Sequence, residues 1–557
     1  MEQASATAES TEIELMGYGS VQAVELVFLL LMLFVVAFGV LARKLKIPYP
    51  IVLVIGGTLL GIIPGIPRIA LNPDVVFYVI LPPLLYAAAW ETSWREFSYN
   101  LVSILLLAFG LVSFTVIGVA FGAQWIFPGF EWKIGLVLGA VVAPTDALAA
   151  TSIAQRIGLP KRITDILEGE SLVNDATGLL ALEFGISILL KNETPTAGDA
   201  VLRLTYLIVA GIAVGLVTGW IVNWIERRID DGPIEIAISI LVPYAAYFTA
   251  DALHASGVLA VVACGLYLTR RSSEFFSPGV RLQAWAFWDA LTHILNGLVF
   301  VLIGLQLHYV LAGIQGYSLG MLVLYGALFS GLVITLRVIW VFPGAFVAQW
   351  IRTHIIHQNI RPPTAPGILV LGWAGMRGVI ALAAAIALPQ TLADGSPFPQ
   401  RNLIVFLAFS VILVTLVGQG LTLPWLVRVL RASDPPGPNL EEEAARREIL
   451  QAALTHLEGS RKKAETEFDA IYEDLARHYR QRLAAVTGKD ETEIGVSPAH
   501  QKHLSRLSRD LLRVERQTAV RLRNEGQIND ETLRQLEYEL DLREAAPTPA
   551  ETLQSRS

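Results

Sequence analysis

The sequence predicts an all-α membrane protein with about 13 transmembrane helices and a cytosolic helical tail. Of its 557 residues, 54% are hydrophobic, and the mean hydropathy is +0.53. A soluble protein is about 45–50% apolar even when glycine is counted. From Asp434 onward the chain carries 19 of its 42 Lys and Arg and 24 of its 49 Asp and Glu. We therefore expect a membrane part followed by a soluble part.

The predicted spans follow one another through the first 430 residues, each close to the length that crosses the hydrocarbon layer. In order, they cover residues 21–42, 47–66, 73–90, 99–122, 132–154, 163–190, 202–224, 233–252, 255–269, 284–308, 317–346, 366–389 and 402–427. The first fifteen residues contain acids and no Lys or Arg, whereas a secretory signal starts with positive charge. The first span is therefore expected to be retained.

The connections between spans predict the orientation of the chain. One side collects sixteen Lys and Arg and the opposite side five, and the richer side is normally cytoplasmic. The N-terminus is then outside and the tail is cytoplasmic, in the plasma membrane. The predicted domains are an extracellular segment at 1–20, a transmembrane domain at 21–430, a Pro-rich linker at 431–440 and a cytosolic helical tail at 441–557.

The tail is expected to be helical. Apolar residues from Leu450 to Leu483 recur at three- to four-residue spacing, and Leu504, Leu507, Leu511 and Val514 begin a second such stretch. The tail contains no nucleotide-binding glycine motif, no metal cluster and no basic nucleic-acid patch. We predict that the protein needs no cofactor, binds no nucleic acid and is not an enzyme.

Polar residues in the sixth span point to ion chemistry. The stretch EGESLVNDATG, residues 168–178, places Ser171, Asn174 and Asp175 on one helical face. A hydroxyl, an amide oxygen and a carboxylate are hard ligands, suited to an alkali cation or a proton. Polar groups inside a span persist mainly where they face a cavity, a partner or a transported ion. Glu170, close to this face, then requires a counter-charge.

Two spans are predicted to be interrupted. In the fifth, Pro144 breaks the helix at or just before Ala143 and leaves Thr145 and Asp146 at the break. In the twelfth, Gly372, Gly375 and Gly378 surround Arg377. The two spans are seven apart in order, which predicts two inverted six-span repeats with interrupted helices crossing at the membrane midplane. The ion site would lie at that crossing.

Three segments resemble the signatures of a known family. APTDALAATS, EGESLVNDATG and GWAGMRGVIALA are similar to those of the monovalent cation:proton antiporters, in the branch of NhaP-type and sodium/proton exchangers and in their bacterial form. LPPLLYAAAWETSW and NGLVFVLIGLQL are also similar, and the resemblance covers roughly residues 20–430. It implies Na⁺/H⁺ antiport by alternating access, a role in pH homeostasis and a homodimer.

The resemblance also assigns roles to residues. Asp175 would hold Na⁺ or H⁺ alternately, Thr145, Asp146 and Ser171 would complete the Na⁺ site, and Asn174 would orient it. Glu170 would pair with Arg377. Electrogenic relatives commonly have Asp at the position of Asn174, so the resemblance implies electroneutral one-for-one exchange. In one departure, Ala87 stands where many relatives have an acid, and Glu91 is the alternative ligand one turn later.

Other functions remain open at the level of sequence. A K⁺/H⁺ or Li⁺/H⁺ antiporter would use the same residues, and a cation channel would need no coupling between ions. An intramembrane aspartyl protease would also place two acids, here Asp146 and Asp175, in adjacent spans. The Gly-x-Gly-Asp sequence of such proteases surrounds neither acid.

Overall fold

The chain forms two compact units, residues 1–434 and 435–557, in a computed structural model. The structure describes residues 28–63, 71–191, 197–314, 317–358, 362–391, 396–432, 440–462, 469–487, 510–522 and single positions as far as 541. The division between the units falls inside the predicted linker. The predicted extracellular segment at 1–20 and most of the linker, residues 433–439, lie outside the described residues.

The first unit is built from helices, numbered here in chain order. They are α1 (Phe28–Leu45), α2 (Tyr49–Ile62), α3 (Val75–Glu91), α4 (Trp94–Ile126), α5 (Trp132–Val142), α6 (Ala147–Ile157), α7 (Lys161–Lys191), α8 (Ala197–Glu226), α9 (Gly232–Ala252), α10 (Gly257–Phe275), α11 (Pro278–Ala312), α12 (Leu319–His354), α13 (Ala365–Trp373), α14 (Val379–Ile386) and α15 (Arg401–Leu430).

The prediction of an all-α membrane protein is confirmed. Within the described ranges, the only β pairing is an isolated bridge between Thr391 and Pro397. Eight described helices are long and apolar enough to cross a membrane, and the bent pair α5–α6 makes a ninth. The other predicted spans coincide with α2, α3, α10 and the α13–α14 pair, which are shorter or less apolar. The number of thirteen spans and the inverted repeats stay predictions.

Both predicted helix interruptions are present, and they touch. The chain bends by 41° between α5 and α6, around Pro144. The second break lies between Trp373, where α13 ends, and Val379, where α14 begins. The backbone N–H of Asp146 donates to the carbonyl of Met376 at 2.8 Å. Groups freed from one helix are therefore satisfied by the other, as burial requires.

Close packing holds α7 against the first break. A Cβ atom added to Gly178 would lie 2.1 Å from Pro144 Cγ, so only glycine lets the proline ring approach this closely. Gly169, two turns earlier, packs in the same way on Ile104 of α4. α7, which carries the acidic stretch, is thereby fixed to the first break on one side and to α4 on the other.

The second unit contains the tail helices α16 (Leu440–Arg461) and α17 (Asp469–Thr487), and residues 510–522 are also helical. The predicted amphipathic stretch from Leu450 to Leu483 falls on both of these helices, and residues 463–468 between them lie outside the described part. Arg461 joins the two helices through Asp469 at 2.9 Å and Glu473 at 2.6 Å. Leu504 and Leu507 also fall outside the description.

Candidate ion-binding site

A cavity of about 140 Å³ lies where α3, α7 and α11 meet the two helix breaks. Four of the five predicted ion-site residues line it. They are Thr145, Asp146, Ser171 and Asp175, and the acids Glu91 and Glu168 line it as well. The first break and α7 therefore bring hydroxyl and carboxylate groups to one cavity, as the sequence pattern suggested.

The oxygen atoms of these residues differ in the hydrogen bonds that they accept. Asp146 Oδ1 accepts from the backbone N–H of Leu148 at 2.9 Å and so caps α6, while Oδ2 lies against Gly378 of the second break. Ser171 Oγ accepts from the N–H of Ala147 at 3.2 Å. Asp175 lies on α7 with 5% of its surface exposed. Asp146 therefore brings a carboxylate from the first break to the cavity, and Asp175 brings one from α7.

Asn174 lies behind the cavity wall. Its Nδ2 donates to Thr145 Oγ1 at 2.8 Å, and Thr145 Oγ1 in turn donates to Glu170 Oε1 at 2.9 Å. Asn174 Oδ1 has no partner among the described residues. These contacts connect the first break to α7 through an amide, a hydroxyl and the Glu170 carboxylate. The orienting role of Asn174 stays a prediction.

The predicted pairing of Glu170 with Arg377 is wrong. Glu170 binds Arg337 of α12 through both carboxylate oxygens, with Nη1 to Oε1 at 2.5 Å and Nη2 to Oε2 at 2.8 Å. The exposed fractions of the two side chains are 0% for Arg337 and 1% for Glu170. A buried acid needs such a partner because an isolated charge loses its hydration. Arg337 reaches Glu170 because α12, which is not one of the interrupted helices, packs beside α13.

Two buried arginines, Arg337 and Arg377, lie at the ends of the interrupted helices. Arg377 donates to the carbonyl of Val142, the last residue of α5, at 3.2 Å. Arg337 donates to the carbonyls of Leu371 and Gly372 in the last turn of α13, at 3.3 and 3.2 Å. A positive charge is favourable at a helix C-terminus, where carbonyls have no helical partner. The C-terminal carbonyls of α5 and α13 are thus each bound by a guanidinium group.

Two residues of this arrangement were not predicted as part of the site. Arg337 is an intramembrane charge within the predicted span at residues 317–346, and that signal leads to Glu170 once the fold is known. Thr415 of α15 accepts from the backbone N–H of Arg377 at 3.1 Å. Nothing in the sequence pattern around Thr415 indicates this contact.

Ala87, which replaces the acid of many relatives, faces away from the site. It lines a second cavity of about 360 Å³, together with Trp90, Arg281 and Asp289. Its neighbour Ala88 lines the cavity of Asp175 instead. Glu91 lines both cavities. Glu91 is therefore the α3 acid that shares a cavity with Asp175.

The donor set suits a hard monovalent cation. Among the described residues, no group of three or more His, Cys, Asp or Glu side chains could hold a metal ion. The cavity offers carboxylate and hydroxyl oxygens instead, and soft metals need thiolate or imidazole ligands. This chemistry is compatible with Na⁺ and with a proton.

Comparisons with known proteins indicate what kind of protein the chain is similar to. The transmembrane sodium/hydrogen exchanger family matches residues 29–429. An uncharacterized Na⁺/H⁺ exchanger of Mycobacterium tuberculosis is 35% identical over 519 residues, which are 92% of this chain and 94% of that protein. A sodium, potassium, lithium and rubidium/H⁺ antiporter of Bacillus subtilis is 30% identical over 87% of this chain and 72% of that protein.

A solved structure shares the fold. The sodium proton antiporter MjNhaP1 from Methanocaldococcus jannaschii superposes with a TM-score of 0.58 at 19% identity, over 73% of this chain and 98% of that one. At that level of identity the likeness shows the fold alone.

Proposed function

The chain belongs to the sodium/hydrogen exchanger family, and from that membership we propose that it exchanges Na⁺ for H⁺ one for one. The family consists of membrane-spanning cation/proton antiporters, which are transporters and not catalytic enzymes. To this family activity the proposal adds which ions are exchanged, in what ratio, and which residues bind them. The observation that carries it is the meeting of Thr145, Asp146, Ser171 and Asp175 in one cavity.

In this proposal Asp175 is the group for which Na⁺ and H⁺ compete. Either ion neutralises the carboxylate, and the neutral site crosses the membrane with a lower barrier than a charged one. Thr145, Asp146 and Ser171 supply further oxygen ligands when Na⁺ is bound. Alternating access of the neutralised site then makes exchange obligatory, since an empty, charged Asp175 is held back.

The way the neighbouring charges are held supports the proposed electroneutral ratio. Glu170 is neutralised by Arg337, and Asn174 contributes an uncharged amide. One proton then replaces one Na⁺ at Asp175 and no net charge moves. The membrane potential, worth about 2.3 kcal/mol per charge per 100 mV, contributes nothing to such a cycle.

We propose that this conformation opens toward the cytoplasm. Glu91, Thr92 and Glu168 line the cavity toward the side that the Lys and Arg bias assigns to the cytoplasm, and apolar residues such as Val76 and Phe300 line the other end. Polar walls admit water and ions. The N-terminus outside, the cytoplasmic tail, the plasma membrane and the homodimer belong to the same proposal.

A further question is which cations the protein exchanges for protons. The name of the Bacillus subtilis relative gives potassium, lithium and rubidium beside sodium. K⁺/H⁺ exchange at the same cavity is therefore the second candidate. A cation channel is the third, and it differs because one ion's gradient would not drive the other ion.

The test is cation-induced collapse of a preset pH gradient in inside-out vesicles. Wild type, Asp175→Asn and the control Glu183→Gln are compared with Na⁺, Li⁺, K⁺ and choline. Glu183 lies on the same helix, exposed and beside Arg203 at 3.5 Å. A saturable Na⁺ response that is lost only in Asp175→Asn and is unaffected by a clamped membrane potential supports the proposal. An unchanged Asp175→Asn response removes Asp175 from the mechanism.

A further inference from the structure

A separate cavity of about 380 Å³ lies at one end of the helix bundle, remote from Asp175 along α7. The start of α7, the end of α12, the start of α13 and the end of α15 meet there. This is the end that the Lys and Arg bias assigns to the cytoplasm. Its wall is formed by apolar side chains of α4, α7, α12 and α13, among them Leu106, Leu107, Ile166, Val341 and Ile368.

The polar lining of this cavity is strongly basic. Arg162, Arg352 and Arg431 all line it, and none of the described lining residues is an acid. The N-terminus of α13 also faces it, through Thr364 and Gly367. A helix N-terminus carries a partial positive charge. Every fixed charge among the described lining residues therefore has the same sign.

Arg352 gives the cavity its strongest requirement for an anion. Its side chain is completely buried. Its described contacts are with neutral groups: Gln358 Oε1 at 2.8 Å, Asn100 Oδ1 at 3.5 Å and the ring of Tyr99 at 4.4 Å. The Nη2 atom is buried without a partner among the described residues. A buried guanidinium with an unused donor is costly unless an anion accepts from it.

We propose that this cavity binds a phosphate-bearing anion, and that the apolar wall favours the headgroup of an anionic phospholipid. Guanidinium groups bind phosphate oxygens at two points, and Arg is the residue best shaped for this contact. The three arginines range from completely buried Arg352 through half-buried Arg162 to exposed Arg431. A headgroup enters past Arg431, and its acyl chains lie along Leu106, Leu107 and Val341.

The ligand connects to the transport machinery through helix α12. This helix carries Arg352 at the cavity and Arg337 at Glu170, and α13 begins at the cavity and ends on Arg337. An anion that bridges α7, α12 and α13 stabilises one arrangement of these helices. Binding is therefore expected to raise the unfolding temperature of the protein, independently of whether Na⁺ is exchanged.

The test uses the full-length protein in a neutral detergent, with its thermal unfolding followed while phosphatidylglycerol, phosphatidylcholine or inorganic phosphate is added at constant ionic strength. The variant is Arg431→Gln, because Arg431 is exposed and its loss leaves the buried contacts in place. The matched control is Arg428→Gln, which removes the same charge one turn earlier on α15, where Arg428 is exposed and does not line the cavity. Arg352→Gln is measured beside them.

We expect a saturable rise in unfolding temperature with phosphatidylglycerol, with half-saturation roughly tenfold higher in Arg431→Gln than in Arg428→Gln. A rise with phosphatidylglycerol but not with inorganic phosphate identifies a lipid, and a rise with inorganic phosphate identifies a free anion; both support the site. A wild type unaffected by either, a response to phosphatidylcholine equal to that to phosphatidylglycerol, or equal responses of the two Arg variants overturns the proposal. Loss of the rise in folded Arg352→Gln supports it further.

Discussion

Glu170 and Arg337 stand 167 residues apart in the chain and form a completely buried, two-point ion pair. The pair joins α7 to α12, and Arg337 also holds the end of α13. It neutralises the acid on α7 that lies five residues before Asp175. The acidic stretch therefore carries one acid that is paired, Glu170, and two that line the cavity, Glu168 and Asp175.

Breaking this pair on one side is expected to destabilise the protein strongly. Arg337→Gln leaves the Glu170 carboxylate buried without its partner and should lower the free energy of unfolding by about 3–5 kcal/mol. The double variant Glu170→Gln/Arg337→Gln should lose less than the sum of the single variants. Denaturant unfolding in detergent measures these differences. Coupling of Glu170→Gln with Arg377→Gln instead of Arg337→Gln would contradict the pairing.

The hydroxyl group of Thr145, and not the size of its side chain, should be required for stability and for Na⁺ binding. Thr145→Val keeps the shape but leaves Asn174 Nδ2 and one oxygen of Glu170 without this partner, a loss of about 1–3 kcal/mol for the buried polar groups. Thr145→Ser retains the hydroxyl and serves as the control. We expect Thr145→Val to lower both the unfolding midpoint and the apparent Na⁺ affinity. If Thr145→Ser is equally impaired, the methyl group and not the hydrogen bonds carries the effect.

The contact between the two helix breaks should not tolerate a side chain at Gly378. A Cβ atom there would lie 2.2 Å from Asp146 Oδ2, within the breaks themselves. Gly378→Ala must displace Asp146 and should reduce exchange by about tenfold or more, since misplacing a functional group by about 1 Å costs roughly 100-fold in catalysts. Gly331→Ala on α12 is the control, because nothing lies within 4 Å of its added Cβ. Vesicle transport at equal protein content measures both.

The sequence was most informative where a local rule acts alone. Pro144 predicted the first helix break, because proline lacks the N–H that the helix needs. The glycines around Arg377 predicted the second, because glycine leaves the backbone torsions unrestricted. Both effects act within one helical turn. Apolar runs likewise indicated where the membrane helices lie. Helical spacing placed Ser171 and Asp175 on the cavity side of α7, and the cavity also receives Thr145 and Asp146.

The partner of Glu170 could not be derived in this way. Arg337 and Arg377 are both intramembrane cations, and the choice between them depends on how α12 packs beside α13. Local periodicity contains no information on that packing, and the resemblance to the antiporter family points to the motif residue Arg377 instead. Its guanidinium is instead required by the carbonyls of Val142 and Gly375. Asn174 does not line the cavity with Ser171 and Asp175, because its amide donates to Thr145 instead.

The acids along the cavity should attract cations to Asp175 without binding them directly. Glu168 lies on α7 and lines the same cavity, and a negative charge in a narrow cavity raises the local cation concentration. Glu168→Gln should raise the Na⁺ concentration for half-maximal exchange roughly two- to fivefold at low ionic strength. The maximal rate should remain close to that of wild type, because the ligands of the ion are unchanged.

The same variant provides its own test through salt. The Debye length is about 30 Å at 0.01 M and about 8 Å at 0.15 M ionic strength, so a non-transported salt such as choline chloride screens a remote charge. The difference between Glu168→Gln and wild type should shrink as this salt is added. Glu183→Gln, at the other end of the same helix beside Arg203, should behave as wild type at every salt concentration. A difference that persists undiminished at high salt, or a lost maximal rate, would mean that Glu168 acts as a direct ligand of the transported ion.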